Sequence, residues 1–92
     1  MIRTFKHAGL ERFFMTGSKA GIQPIHAKRL SELLGALNAA ATAEDLNAPS
    51  YRLHALKHDR AGDWSITVQA NWRITFRFEG SDAILVNYED YH

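Results

Sequence analysis

The spacing of apolar side chains divides the chain into a helical half and a β half. Ile25, Ala27, Leu30, Leu33, Leu34, Leu37, Ala40 and Ala41 recur at helical intervals, and Pro24 suits a first turn. An amphipathic helix is therefore predicted over roughly 24–41. His7–Met15 reads as a shorter helix, ended by Thr16-Gly17-Ser18. Beyond residue 63 the period becomes two. Trp64-Ser65-Ile66-Thr67-Val68-Gln69 alternates strictly, and so does Trp72-Arg73-Ile74-Thr75-Phe76-Arg77-Phe78.

Parity constrains the turn between these strands. A two-residue loop at Ala70-Asn71 would pair Gln69 with Trp72 and place Arg73 and Arg77 on the apolar face. One more loop residue pairs Gln69 with Arg73 and Val68 with Ile74. That keeps Trp64, Ile66, Val68, Ile74, Phe76 and Phe78 together, and burial favours it because a one-residue slip inverts every side chain. The other face then carries Ser65, Thr67, Gln69, Arg73, Thr75 and Arg77, which suits either a binding face or plain solvent. Glu79–Asp82 is a turn, and Ala83–Tyr88 is apolar enough for an inner strand.

The remaining segments are weaker signals. Ile2–Phe5 is predicted as an edge strand, Tyr51–Leu53 as a brief strand, and Thr42–Ser50 as a polar connection with room for one short helical turn. His54–Asp63 reads as an exposed loop. Helices first and a strand meander afterwards make an α+β domain, with two N-terminal helices packed on one face of a small, twisted, mainly antiparallel sheet. Ninety-two residues give one domain, 1–92.

A composition of 46% hydrophobic and 23% charged residues is that of a globule rather than a disordered chain. No apolar run reaches the ~18–20 residues of a membrane span, and the first residues carry no signal-peptide pattern. Without cysteine there is no disulfide, no thiolate metal site and no thiol nucleophile; a cytoplasmic setting fits.

The net charge of +1 hides an uneven distribution. Residues 1–30 hold six Lys/Arg against one acid, and 51–60 hold three bases and two histidines against one acid. Such clustering points to a local anion site or to a solvated basic loop. His54 and His58 flank Lys57, and the chain closes with Glu89-Asp90-Tyr91-His92.

Those residue types match what RNA cleavage requires. A base must take the proton of the attacking 2′-hydroxyl, cations must hold the charge on the phosphorane, and an acid must protonate the departing oxygen. Histidine, with an ordinary pKa of ~6.5, serves either proton transfer near neutrality. Lys57 and Arg73 can hold charge, and Tyr91 can stack on a base. The i, i+4 spacing of His54 and His58, completed by Asp90 or His92, would instead suit a divalent metal if that segment were helical, but its composition is loop-like. His7 and His26 are expected at the surface or its boundary, without partners. The last four residues could also be a tail that caps the sheet.

Three stretches, Tyr51-Arg52-Leu53-His54-Ala55-Leu56-Lys57, the strand pair over 64–76, and Asn87-Tyr88-Glu89-Asp90-Tyr91-His92, resemble the HigB toxins of the RelE/ParE superfamily. Ile2–His7 and the overall length match as well, whereas 15–45 matches loosely. The resemblance implies a RelE-like fold and the toxin of a bacterial type II toxin–antitoxin system. Its activity would be a ribosome-dependent endoribonuclease that cuts mRNA codons in the A site and leaves a 2′,3′-cyclic phosphate. It further implies His54, Asp90, Tyr91 and His92 as the catalytic group, with Lys57 and Arg73 binding phosphate and neither metal nor cofactor needed. Lys6, Arg12, Lys19, Lys28 and Arg29 become candidates for contacts to 16S rRNA. The implied partners are a HigA-like helix-turn-helix antitoxin and the 70S ribosome with its mRNA. The alternative on the same fold is a ParE-like toxin that poisons DNA gyrase by contact; a regulator without activity is a third reading.

Overall fold

A computed structural model describes residues 1–91; His92 lies outside the described residues. Helix α1, Ala8–Thr16, begins where the His7 imidazole accepts the Leu10 N–H through Nδ1 at 2.9 Å. It ends at Gly17, whose φ of 80° turns the chain left-handed so that its N–H reaches the Phe13 carbonyl. The predicted helix over 24–41 is a 3₁₀ turn at Pro24–His26 followed by α2, Ala27–Ala39. Ala27, Leu30, Leu33, Leu34 and Leu37 are its buried stripe, each fully buried leucine stabilising the fold by about 1.5–3 kcal/mol. Ile25, grouped with that stripe from its spacing, is 76% exposed, because the 3₁₀ turn rotates it off the buried face.

Four antiparallel strands follow in the spatial order β1-β2-β3-β4: β1 His54–Ala55, β2 Trp64–Gln69, β3 Trp72–Glu79 and β4 Asp82–Asp90. The helices pack on one face, where Leu10, Leu30, Leu33 and Leu37 meet Ile66, Ile74, Phe76 and Val86 in one core. The N-terminal segment runs parallel to β4 through bridges at Ile2–Ala83 and Phe5–Val86, so β4 is flanked on both sides as an inner strand should be.

Several expectations need correction. The brief strand lies at His54–Ala55, not Tyr51–Leu53. Pro49 opens a 3₁₀ turn through Tyr51, and Arg52 at φ 50° breaks the extended run before β1 finds Ser65 and Trp64. The His54–Asp63 loop also contains a 3₁₀ turn, His58–Arg60.

The hairpin reaches the expected parity by another route. Gln69 does pair with Trp72 across a two-residue turn, and a bulge at Val68 then restores the in-phase pairs Ile66–Ile74 and Trp64–Phe76. Arg73 therefore lies opposite Thr67 and not Gln69. Beyond the bulge Gln69 crosses to the helix side, where its Oε1 lies 2.9 Å from His26 Nε2. His26 is accordingly a core residue, 3% exposed, and not a surface one.

Candidate active site

The polar face of the sheet is not open to solvent throughout. Ser65 and Thr75 are each only 3% exposed, because the 56–63 loop folds over them. Two ion pairs fasten that loop. The Arg60 guanidinium grips Glu89 bidentately, Nη1 to Oε1 at 3.0 Å and Nη2 to Oε2 at 2.9 Å, and its carbon lies 5.8 Å from the centre of the Tyr91 ring. Arg77 Nε donates to Asp63 Oδ1 at 2.8 Å, and Arg77 Nη2 to the Ala61 carbonyl at 3.1 Å. Leu56 closes the loop by donating its N–H to the Asp63 carbonyl at 2.9 Å.

Glu89 also accepts from the Thr75 hydroxyl at 2.7 Å and from the Asn87 amide at 3.3 Å. The Arg60 bond is the main cause that holds its carboxyl below the ordinary 4.5, and these two donors help against the opposing effect of burial. The same bond raises the Arg60 guanidinium above its ordinary value. Glu89 is thus a committed anion, unsuited to accept a proton in chemistry near neutrality.

With the loop held down, four elements converge at one end of the face. His54 on β1 lies opposite Ser65 on β2, Thr67 opposite Arg73 on β3, and Arg73 opposite Glu89 on β4. Past β4, the Tyr91 N–H donates to the Asn71 carbonyl at 2.8 Å. Between them opens a cavity of about 470 Å³ lined by His54, Ala55, Leu56, Lys57, His58, Ser65, Arg73 and Tyr91. The Arg73 Nη1 bonds to the carbonyls of Ala70 and Trp72, so the turn itself aims the guanidinium. His58 is held at φ 60°, a conformation that costs a non-glycine residue about 1–2 kcal/mol and persists where its surroundings impose it. The anchored loop supplies that constraint.

Of the residues singled out from the sequence, His54, Lys57, Arg73 and Tyr91 therefore share one cavity. Asp90 does not line it. Opposite Trp72 on β4, it alternates with Glu89 and leaves the sheet on the Tyr88 side. His92 lies outside the described residues. Lys6, Arg12, Lys19 and Lys28 are exposed. Arg29 is turned inward, donating from Nη2 to the Ser50 carbonyl at 2.6 Å and the Thr67 carbonyl at 3.2 Å, with its guanidinium 5.3 Å from the centre of the Tyr51 ring. The metal alternative loses its premise, since 54–58 is strand and turn rather than helix, and no cluster of three or more potential ligands occurs among the described residues.

Sequence reasoning placed neither Arg60 nor Glu89 in this site, named His58 only beside Lys57 and as a possible metal ligand, and Ser65 only as part of the polar face. A signal for Glu89 was present: Asn87, Glu89 and Tyr91 alternate, so the strand that anchors Tyr91 must aim Glu89 at the same polar face.

The topology and this cavity define the class. Over 97% of its length the chain resembles the solved YoeB/ParE toxin from Agrobacterium tumefaciens, with a TM-score of 0.57, 99% of that chain covered and 21% identity. The fold is RelE-like. A family model described as the RelE-like toxin of the type II toxin–antitoxin system HigB matches residues 3–92. The Endoribonuclease HigB of Proteus vulgaris is 49% identical over 92 residues, spanning all of both chains. The chain belongs to the HigB-like toxins of type II toxin–antitoxin systems, and an antitoxin is its partner by that membership. Among the described residues no helix is long and apolar enough to cross a membrane.

Proposed function

We propose that this endoribonuclease toxin cuts mRNA on the ribosome, within the codon in the A site, in the bacterial cytoplasm. The observation that carries the reading is the convergence of His54, Lys57, Arg73 and Tyr91 on a single cavity large enough for one nucleotide. The activity named for the Proteus vulgaris relative is in line with it.

In the reaction the ribose 2′-oxygen attacks the adjacent phosphorus while a base removes its proton. The bond from phosphorus to the 5′-oxygen then breaks, an acid protonates that oxygen, and a 2′,3′-cyclic phosphate is left. His92 serves as the base, and His54 as the acid or as a stabiliser of the developing charge; Asp90, which does not line the cavity, is left out of the proton transfers. Lys57 and Arg73 clamp the phosphorane oxygens, where positioned cations are worth about 10²–10³ in rate each. Tyr91 stacks on or orients a base.

A cavity made from a loop and a strand end, open on one side, orders its substrate poorly by itself. Ribosome and mRNA together supply the missing alignment, so naked RNA is a poor substrate. Lys6, Arg12, Lys19 and Lys28 are the cations available for 16S rRNA, and the antitoxin is a HigA-like helix-turn-helix protein that prevents access to the ribosome. Primer extension on mRNA from cells expressing the toxin tests the reading. Cuts inside translated codons support it; intact mRNA with induction of the DNA-damage response favours gyrase poisoning instead.

A further inference from the structure

His26 is 3% exposed, belongs to neither the polar face nor the cavity, and grips two strands at once. Its Nδ1 lies 2.6 Å from the Tyr88 hydroxyl and its Nε2 lies 2.9 Å from Gln69 Oε1. Tyr88, His26 and Gln69 thus form a hydrogen-bonded chain that runs through one rigid ring. With both ring nitrogens engaged, the buried imidazole has little freedom to turn.

Both ends of the chain lead to the cavity. Gln69 opens the β2–β3 turn, and the next two carbonyls hold active-site groups: Ala70 accepts from the Arg73 guanidinium, and Asn71 accepts the Tyr91 N–H. Tyr88 precedes Tyr91 by three residues on the strand that delivers it. The bulge at Val68 is what turns Gln69 toward the helices and makes this reach possible.

Building on the endonuclease reading, we infer that His26 is a positioning residue that sets Arg73 and Tyr91 from the opposite face of the sheet, acting through Gln69 and Tyr88. Displacing catalytic groups by about 1 Å can cost about 10²-fold in rate, so losing this grip lowers turnover without lowering affinity for the ribosome.

The test compares wild type, His26→Phe, His26→Gln, Gln69→Leu and the double variant His26→Phe/Gln69→Leu. Single-turnover cleavage of ribosome-bound mRNA is measured together with melting temperature and with NMR shifts of the Tyr91 amide and the Arg73 Nε–H. We expect kcat to fall at least about tenfold in His26→Phe and Gln69→Leu, with KM within about twofold. The double variant should be no worse than the poorer single one, and His26→Gln should retain more of the rate than His26→Phe. The Tyr91 and Arg73 signals should shift while that of Lys57 stays. Gln69 is a surface residue, so its variant carries the test even if His26→Phe fails to fold. Wild-type kcat in folded Gln69→Leu with unmoved Tyr91 and Arg73 signals overturns the inference, as does a loss confined to melting temperature. Failure of the wild type itself to cut would reject the endonuclease reading, while the NMR shifts would still decide the positioning.

Discussion

Replacing Arg60 by Met removes the guanidinium while keeping an unbranched chain against Tyr91, and so isolates the clamp that holds the 56–63 loop. Two hydrogen bonds at 3.0 and 2.9 Å are lost, and Glu89 keeps only Thr75 and Asn87 as donors. Hydrogen bonds to charged groups contribute about 1.5–3 kcal/mol net, and side chains 32% and 24% exposed place this pair toward the lower end, at about 2 kcal/mol. For a domain of this size that lowers the melting temperature by about 8–16 °C at pH 7, followed by circular dichroism. The pH dependence supplies a second readout. Because Arg60 holds the Glu89 carboxyl below its ordinary 4.5, this stabilisation is present above that value and is lost as pH falls through the lower, folded-state value. The gap between wild type and Arg60→Met is therefore full at pH 7 and closes on acidification. A shift under about 2 °C at neutral pH, or a gap that persists undiminished in acid, would refute the reasoning.

Other outcomes follow from the same geometry. A Cβ added at Gly9 would sit 2.5 Å from the Gly21 carbonyl oxygen, so Gly9→Ala should destabilise by about 1–3 kcal/mol in urea titrations. Gly35→Ala, in open space on α2, should stabilise by about 0.5–1 kcal/mol. Burial raises the Tyr88 hydroxyl above its ordinary 10.0, so its stabilising contribution holds below that value and is lost as pH rises; Tyr88→Phe should flatten the alkaline limb of the stability profile. If the exposed lysines bind rRNA, affinity of the toxin for ribosomes should fall steeply with salt, and Lys19→Ala/Lys28→Ala should reduce that slope; binding indifferent to salt would remove them from the interface.

Alternation made β2 and β3 readable almost to the residue, since burial of one face leaves a period-two record in any sequence. The bulge at Val68 left no such record: it preserves the parity of Ile66 and Ile74, and a longer turn would preserve it equally well. Gln69 and His26 were misplaced for that reason, their partnership arising only after the bulge redirects one side chain. A lone histidine 43 residues from one partner and 62 from the other carries no local sign of burial. His54, Lys57, Arg73 and Tyr91 were singled out by their chemistry and by the family resemblance, and the structure brings the four to one cavity. Arg60 and Glu89 were not, because a charge in a loop and another in a tail look like solvent-facing residues until the loop is seen to fold onto the sheet.

The cavity beneath the anchored loop is, on this reading, where the phosphodiester is cut. Purified wild type, His54→Ala, Lys57→Ala and Arg73→Ala, compared for cleavage of mRNA on programmed ribosomes after equal melting temperatures are verified, test it most directly. Codon-specific cuts by wild type are expected, with losses of about 10²-fold or more in each variant and ribosome binding retained. Wild-type cleavage by all three folded variants would contradict it.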